Sequence, residues 1–215
     1  MASMKNGPQP MEKLLNRIAE RWWEHFLGIN TRGTTRGDKL GNRSDAIDYS
    51  PVPFRAFFRA MEHVPDHLLT GTFLDYGSGK ARALVLAARR YPFRRVLGVE
   101  MSRELCRQAE HNLKQTGCSK RAEIICCDAA TYQPPSDTTV FFFYNPFFGE
   151  TMKRVAENIH QSLLANPRQA AIVAYTPVNF LAATAGQTWF EEHAVGRVMY
   201  AYWRVFVTRM AGCAT

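Results

Sequence analysis

At 215 residues the chain is long enough for one α/β domain with a proper core and a short appendage, and too short for two full domains. It is 46% hydrophobic and 12% aromatic, which excludes a disordered chain. The formal charge of +8 attracts acidic partners at long range, but Lys and Arg are spread along the sequence without a nucleic-acid-reading motif, so a nucleic acid ranks below other partners.

No apolar run approaches the roughly 20 residues that span a bilayer, and the N-terminus lacks the apolar stretch of a secretory signal. The expected compartment is cytoplasmic, with no membrane partner. Cys106, Cys118, Cys126, Cys127 and Cys213 form no C-x-x-C pair, so neither a disulfide framework nor a metal site is expected.

Residues 1 to 10, with Asn6-Gly7-Pro8 and Pro10, read as a tail. From Met11 to Phe26, Leu14, Leu15, Ile18, Trp22, Trp23 and Phe26 recur at helical spacing, opposite Lys13, Arg17, Glu20 and Arg21. The apolar face of this helix is expected to dock on the main domain, with a lid or a dimer contact as the sharper reading. Gly28 to Ser50 is rich in glycine and charge and reads as a long, lid-like loop. Tyr49-Ser50-Pro51-Val52-Pro53 then leads into a helix from Phe54 to His63.

Phe73 and Leu74 end a strand, Asp75-Tyr76-Gly77-Ser78-Gly79-Lys80 forms a turn, and Ala81 to Arg90 is helical. Gly77 and Gly79 carry no Cβ, so this turn permits close approach of a ligand and is expected to aim free N–H groups at it. Arg94 to Glu100 is a second strand ending in an acid, at a distance from Asp75 that suits a carboxylate accepting both hydroxyls of a ribose. A helix capped by Ser102 runs to Gln115. The third strand, Ala122 to Cys127, ends at Asp128, which either accepts from an exocyclic amine such as that of adenine or caps the turn Ala129-Ala130-Thr131.

Thr138 to Tyr144 is an almost continuous apolar run, the mark of a strand buried on both faces of a parallel sheet. Asn145-Pro146-Phe147-Phe148-Gly149 follows at its carboxyl end, where open α/β sheets place ligands. Further elements are a helix from Met152 to Leu164, a strand from Gln169 to Tyr175 and a short helix from Val178 to Ala185. Trp189 to Val195 and Met199 to Thr208 read as two strands joined by a hairpin turn at Gly196-Arg197.

From about Tyr49 to Met210 these residues resemble the class I S-adenosylmethionine-dependent methyltransferases. Asp75-Tyr76-Gly77-Ser78-Gly79-Lys80-Ala81 is similar to that family's acidic-x-Gly-x-Gly-x-Gly turn, with Ala81 in the last glycine place. The resemblance implies a Rossmann-like α/β fold: a seven-stranded, mostly parallel sheet with helices on both faces and a C-terminal antiparallel hairpin. It also implies S-adenosyl-L-methionine as cofactor, held by Tyr49, Asp75, Gly77, Ser78, Gly79, Glu100, Met101, Asp128 and Ala129. Asn145-Pro146-Phe147-Phe148 is similar to the Asn/Asp-Pro-Pro-Tyr/Phe motif of amino-group methyltransferases, with Phe147 in place of a proline, and assigns acceptor chemistry to Asn145, Pro146 and Phe147. Lys80 could pair with the cofactor carboxylate.

The reading is therefore a methyltransferase acting on a nitrogen of a small molecule or protein, with residues 1–48 as tail, helix and lid-like loop and 49–215 as catalytic domain. The alternatives are a non-catalytic cofactor-binding or scaffolding protein and a nicotinamide-dependent dehydrogenase. No complete Gly-x-Gly-x-x-Gly supports the latter.

Overall fold

Seven strands, β1 (Thr72–Tyr76), β2 (Arg95–Glu100), β3 (Ala122–Cys126), β4 (Thr138–Tyr144), β5 (Ala171–Tyr175), β6 (Phe190–Val198) and β7 (Ala201–Thr208), make one sheet in the order β3-β2-β1-β4-β5-β7-β6. The computed structural model describes residues 10–35, 45–198 and 201–209, so the expected tail lies almost wholly outside them. β1 pairs in parallel with both β2 and β4, and β7 is antiparallel to β5 and β6. The chain thus builds outward from β1 to one edge and then returns to its other side at β4. That reversal opens a crevice at the carboxyl ends of β1 and β4, where ligands of such sheets bind.

Alternation along the strands sorts the core into two layers, because successive side chains point to opposite faces. Phe73, Val140 and Phe142 pack on one side against α2 (Phe54–Met61) and α3 (Arg82–Arg90), with α4 (Arg103–Gln115) beside them. Leu74, Phe141 and Phe143 face the other way, against α5 (Gly149–Ala165) and α6 (Val178–Ala183). Phe141, Phe142 and Phe143 are all buried, as a strand covered on both faces requires. Ser102 caps α4 by accepting from the Leu105 N–H, and Gly117 follows that helix in the left-handed conformation at φ 69°.

Two expectations are corrected. Gly196 and Arg197 are strand residues, not a turn: β6 stays paired to Val198 opposite Ala201. Gly196 is needed there because a Cβ would lie 2.3 Å from Cζ2 of the Trp203 ring. The first helix, α1 (Pro10–Leu27), is turned the other way from its apolar pattern. Leu14, Leu15, Ile18, Trp22 and Phe26 are exposed, whereas Glu24, Leu27 and part of Trp23 face the domain.

The reason is Arg82, the first residue of α3, which is only 3% exposed and gathers the polar face of α1 around it. Its guanidinium donates to Glu20, to Glu24 Oε1 at 2.9 Å, to Thr31 Oγ1 at 2.7 Å and to the Val52 carbonyl at 2.9 Å. The Phe54 ring lies 4.3 Å from the guanidinium carbon, and Glu20 also accepts from the Phe54 N–H. A buried guanidinium must be paired, so Glu20 and Glu24 point inward and the apolar stripe of α1 points out.

Candidate active site

Two adjoining cavities of about 680 and 330 Å³ occupy the crevice and share Tyr49, Ser50, Gly77 and Tyr144 in their walls. The larger is bounded by Glu100, Met101, Asp128 and Ala129 on one flank and by Asn145, Pro146 and Phe147 on the other. The smaller holds Asp75, Ser78 and Arg82. Every residue that the sequence placed in the site therefore borders one cavity or the other, except Gly79, which lies under the Tyr49 ring.

The glycine turn works by close packing rather than by free donors, which corrects the expected cradle of N–H groups. The N–H groups of Gly77 and Ser78 both donate to the Val99 carbonyl, and that of Gly79 donates to Glu100 Oε2 at 2.9 Å. A Cβ on Gly77 would lie 2.3 Å from Pro146 Cβ, and one on Gly79 would lie 2.2 Å from the Tyr49 ring. Both glycines have positive φ, and so does Ala81 at 66°, a conformation that costs an L-residue about 1–2 kcal/mol. Ser78 turns inward, its Oγ 2.5 Å from where a Gly98 Cβ would stand and without a hydrogen-bond partner among the described residues.

Lys80 does not reach the cavities: its Nζ donates to the Arg32 carbonyl at 2.7 Å and lies 5.2 Å from the Tyr49 ring centre. Tyr49 donates to the Thr31 carbonyl at 2.6 Å, and burial pushes its phenol well above the ordinary range. Thr31 also contacts Arg82, so the ring that covers Gly79 is fixed by the same network that docks α1.

The three strand-end acids differ in their surroundings. Asp75 is 4% exposed, and among the described residues no donor hydrogen-bonds its carboxylate. Burial raises its pKa well above the usual value, and the Glu100 charge raises it further. Glu100 accepts from Gly79 and from the Ser102 N–H at 2.8 Å, so burial raises its pKa while these N–H bonds oppose the rise. Asp128 meets both sequence readings at once: it accepts from the Ala130 N–H at 2.9 Å, capping the turn Ala129–Thr131, and it borders the larger cavity.

At the opposite flank, Asn145 sits at φ 51°, a left-handed conformation that asparagine tolerates better than most residues. Its side-chain oxygen accepts from Asn179 Nδ2 at 2.8 Å. Asn179 was not legible beforehand, because only the fold brings α6 beside the end of β4. The segment from Asp45 to Ile47 runs antiparallel over the 146–148 stretch, with Ile47 N–H donating to Pro146 and Phe148 N–H donating to Asp45. Asp45 further accepts from the N–H and Oγ1 of Thr151, capping the first turn of α5. Phe147 is mostly buried against Phe143 and presents an edge to the cavity, whereas Phe148 is exposed.

These features fit a cofactor with a charged amino-acid end and a flat nucleoside end. The unpaired buried carboxylate of Asp75 suits a cationic group in the smaller cavity. Val99, Met101, Leu105 and Ala129 give the larger one apolar walls between Glu100 and Asp128.

Residues 73–166 match the family model described as a methyltransferase domain. No curated protein sequence matches the chain. Among solved structures, an RNA methyltransferase from Salinibacter ruber in complex with S-adenosyl-L-homocysteine is 18% identical, with 74% of this chain and 94% of that one covered and a TM-score of 0.57. An O-methyltransferase from Bacillus cereus in complex with the same product is 13% identical, with coverages of 74% and 83% and a TM-score of 0.54. A tRNA methyltransferase from B. subtilis is 10% identical, with coverages of 71% and 64% and a TM-score of 0.56. At these identities the likeness to the solved structures is one of fold. Taken with the matched methyltransferase domain from β1 through α5 and with the strand order, it is consistent with the class I S-adenosylmethionine-dependent methyltransferase superfamily, enzymes whose methyl donor is S-adenosylmethionine.

Proposed function

We propose that the chain methylates a nitrogen of a small molecule or of a protein, with Asn145, Pro146 and Phe147 forming the acceptor edge. The observation that carries this reading is the contact of Pro146 with Gly77, which holds the acceptor edge against the cofactor turn with no room for a Cβ between them. Asp75, Glu100 and Asp128, with Met101 and Ala129 between them, hold the cofactor, and residues 45–48 with Tyr49 cover it. In this reading residues 1–48 are a tail, a helix and a lid-like loop attached to a catalytic domain formed by 49–215.

Bound there, S-adenosylmethionine supplies an electrophilic methyl on a positive sulfur. Asn145 Oδ1 has a second lone pair beyond the one that takes the Asn179 N–H, and it accepts an N–H of the substrate. That bond fixes the nitrogen with its own lone pair toward the methyl carbon. The nitrogen forms the new C–N bond as the C–S bond breaks, the electron pair leaves on sulfur, and the extra proton on nitrogen passes to water. The residues contribute positioning and exclusion of water, and no side chain has to act as a strong base.

The test is transfer of a tritiated methyl into lysate fractions separated into metabolites, proteins and nucleic acids, with the labelled atom identified. Label on nitrogen in the metabolite or protein fraction is expected, and label on oxygen or carbon would end the nitrogen assignment. Asn145→Ala should lower turnover roughly 100-fold, the scale of a misplaced reacting atom, while cofactor affinity stays nearly unchanged. Full turnover in that variant would remove Asn145 from the acceptor edge.

A further inference from the structure

The outward face of α1 has no use in the site. Met11, Leu14, Leu15, Ile18, Trp22 and Phe26 are each between 51% and 67% exposed and lie at helical spacing along its 18 residues. Trp22 and Phe26 stack on each other with ring centres 5.3 Å apart. An exposed apolar stripe of this size marks an interaction surface.

Charge selects the partner. Exposed Arg17 and Arg21 border one edge of the stripe. Beyond its other edge a groove of about 1130 Å³ separates Leu15 and Ala19 from exposed Arg55 and Arg59 of α2, the latter paired with Glu62 at 3.1 Å on the groove wall, over a floor that includes Trp23, Phe54 and Phe58. Glu20 and Glu24, two of the three acids of α1, are committed to Arg82. A second copy of the chain would bring the same arginines against each other on molecules of charge +8, and a nucleic acid would leave the stripe uncovered. A surface that is apolar beneath an anionic layer satisfies both features.

We propose that α1 is an interfacial helix that rests on an anionic lipid surface, with Leu14, Ile18, Trp22 and Phe26 at the boundary of headgroups and acyl chains and the flanking arginines on the headgroups. The expectation of no membrane partner rested on the lack of a spanning run. No described helix is long and apolar enough to cross a membrane, and an interfacial helix lies on the surface instead.

The experiment is flotation of the full chain with vesicles of phosphatidylcholine alone or mixed with phosphatidylserine, at low and high salt. Binding to the mixed vesicles, a blue shift of tryptophan emission and weakening by salt are expected. Arg17→Gln and Arg21→Gln should each weaken binding about fivefold. Ile18→Glu with Trp22→Glu should abolish flotation, while circular dichroism and cofactor binding stay unchanged because both side chains point outward. Absence of flotation, equal binding to uncharged vesicles, or binding that survives the double substitution would overturn the proposal. So would light scattering that shows a dimer which the double substitution turns into a monomer, since the face would then be a self-interface.

Discussion

Replacing Asp75 by asparagine should make the cofactor-free protein more stable and its cofactor site weaker. The carboxylate is almost wholly buried, receives no hydrogen bond among the described residues, and faces the charge of Glu100. Its folded-state pKa is raised above the ordinary value of 3.8, so the folded state binds the proton more tightly than the unfolded chain. The contribution of this group to stability is therefore complete below 3.8 and is lost as pH rises through the raised folded value. Asparagine keeps the shape and removes the titration. Relieving an unpaired buried group is worth about 2 kcal/mol, and at roughly 2–4 °C per kcal/mol for a chain of this size the melting temperature should rise by about 4–8 °C near neutral pH. Thermal unfolding of both proteins across a pH series reads the effect: the curves should converge at acid pH and separate as pH rises. Calorimetry with S-adenosylmethionine should show weaker binding, because a carboxylate suited to a cation is gone. A variant less stable than the parent at neutral pH, or one with the same pH slope, would show that Asp75 is not an unpaired carboxylate in the folded chain.

Three further substitutions probe the same frame. Glu100→Ala leaves the N–H groups of Gly79 and Ser102 without their acceptor, so it should weaken cofactor binding by about 1–3 kcal/mol and also lower the melting temperature; unchanged calorimetric affinity would remove Glu100 from the cofactor site. Arg82→Met leaves Glu24 buried with Arg32 as its remaining cationic partner at 2.6 Å, and chemical denaturation should show a loss of about 3–5 kcal/mol, part of which returns on adding Glu24→Gln. Ala81→Gly should change stability by less than about 1 kcal/mol, because relief of the left-handed strain is offset by the lost methyl contact and the freer unfolded chain; a large loss would show that the Ala81 methyl packs more tightly than its place in the turn requires.

The parts of the fold that were legible are those in which local pattern and tertiary role agree. The run Val140 to Tyr144 reads as a doubly buried strand because its neighbours cover both faces, and the acids Asp75, Glu100 and Asp128 stand out because each directly follows an apolar run near the carboxyl end of its strand. The misreadings share a cause: a residue type with a local meaning was used for a long-range contact. Gly196 makes room for Trp203, not for a turn. The turn N–H groups were expected to face a ligand but bond to Val99 and Glu100, partners supplied by the neighbouring strand. Asn179 has no local signature, since its role depends on the strained turn at Thr176 (φ 48°) that brings α6 toward Asn145.

The orientation of α1 is the most instructive of these cases, because the magnitudes do not balance within one chain. Leaving Arg82 without Glu20 and Glu24 would cost about 3–5 kcal/mol, which favours the observed docking. Turning the helix over would bury six large apolar side chains now more than half exposed, at about 1.5–3 kcal/mol for each one fully buried. Half of that burial already matches or exceeds the ion-pair network. The outward stripe is therefore a free-energy deficit for the isolated chain, and a surface that covers it would supply what the fold forgoes. The same reasoning requires the Ile18→Glu, Trp22→Glu variant to stay at least as stable as the parent in solution, since it removes apolar exposure without touching the buried network. A variant that melts several degrees lower would mean that the stripe is covered within the protein itself and that the deficit does not exist.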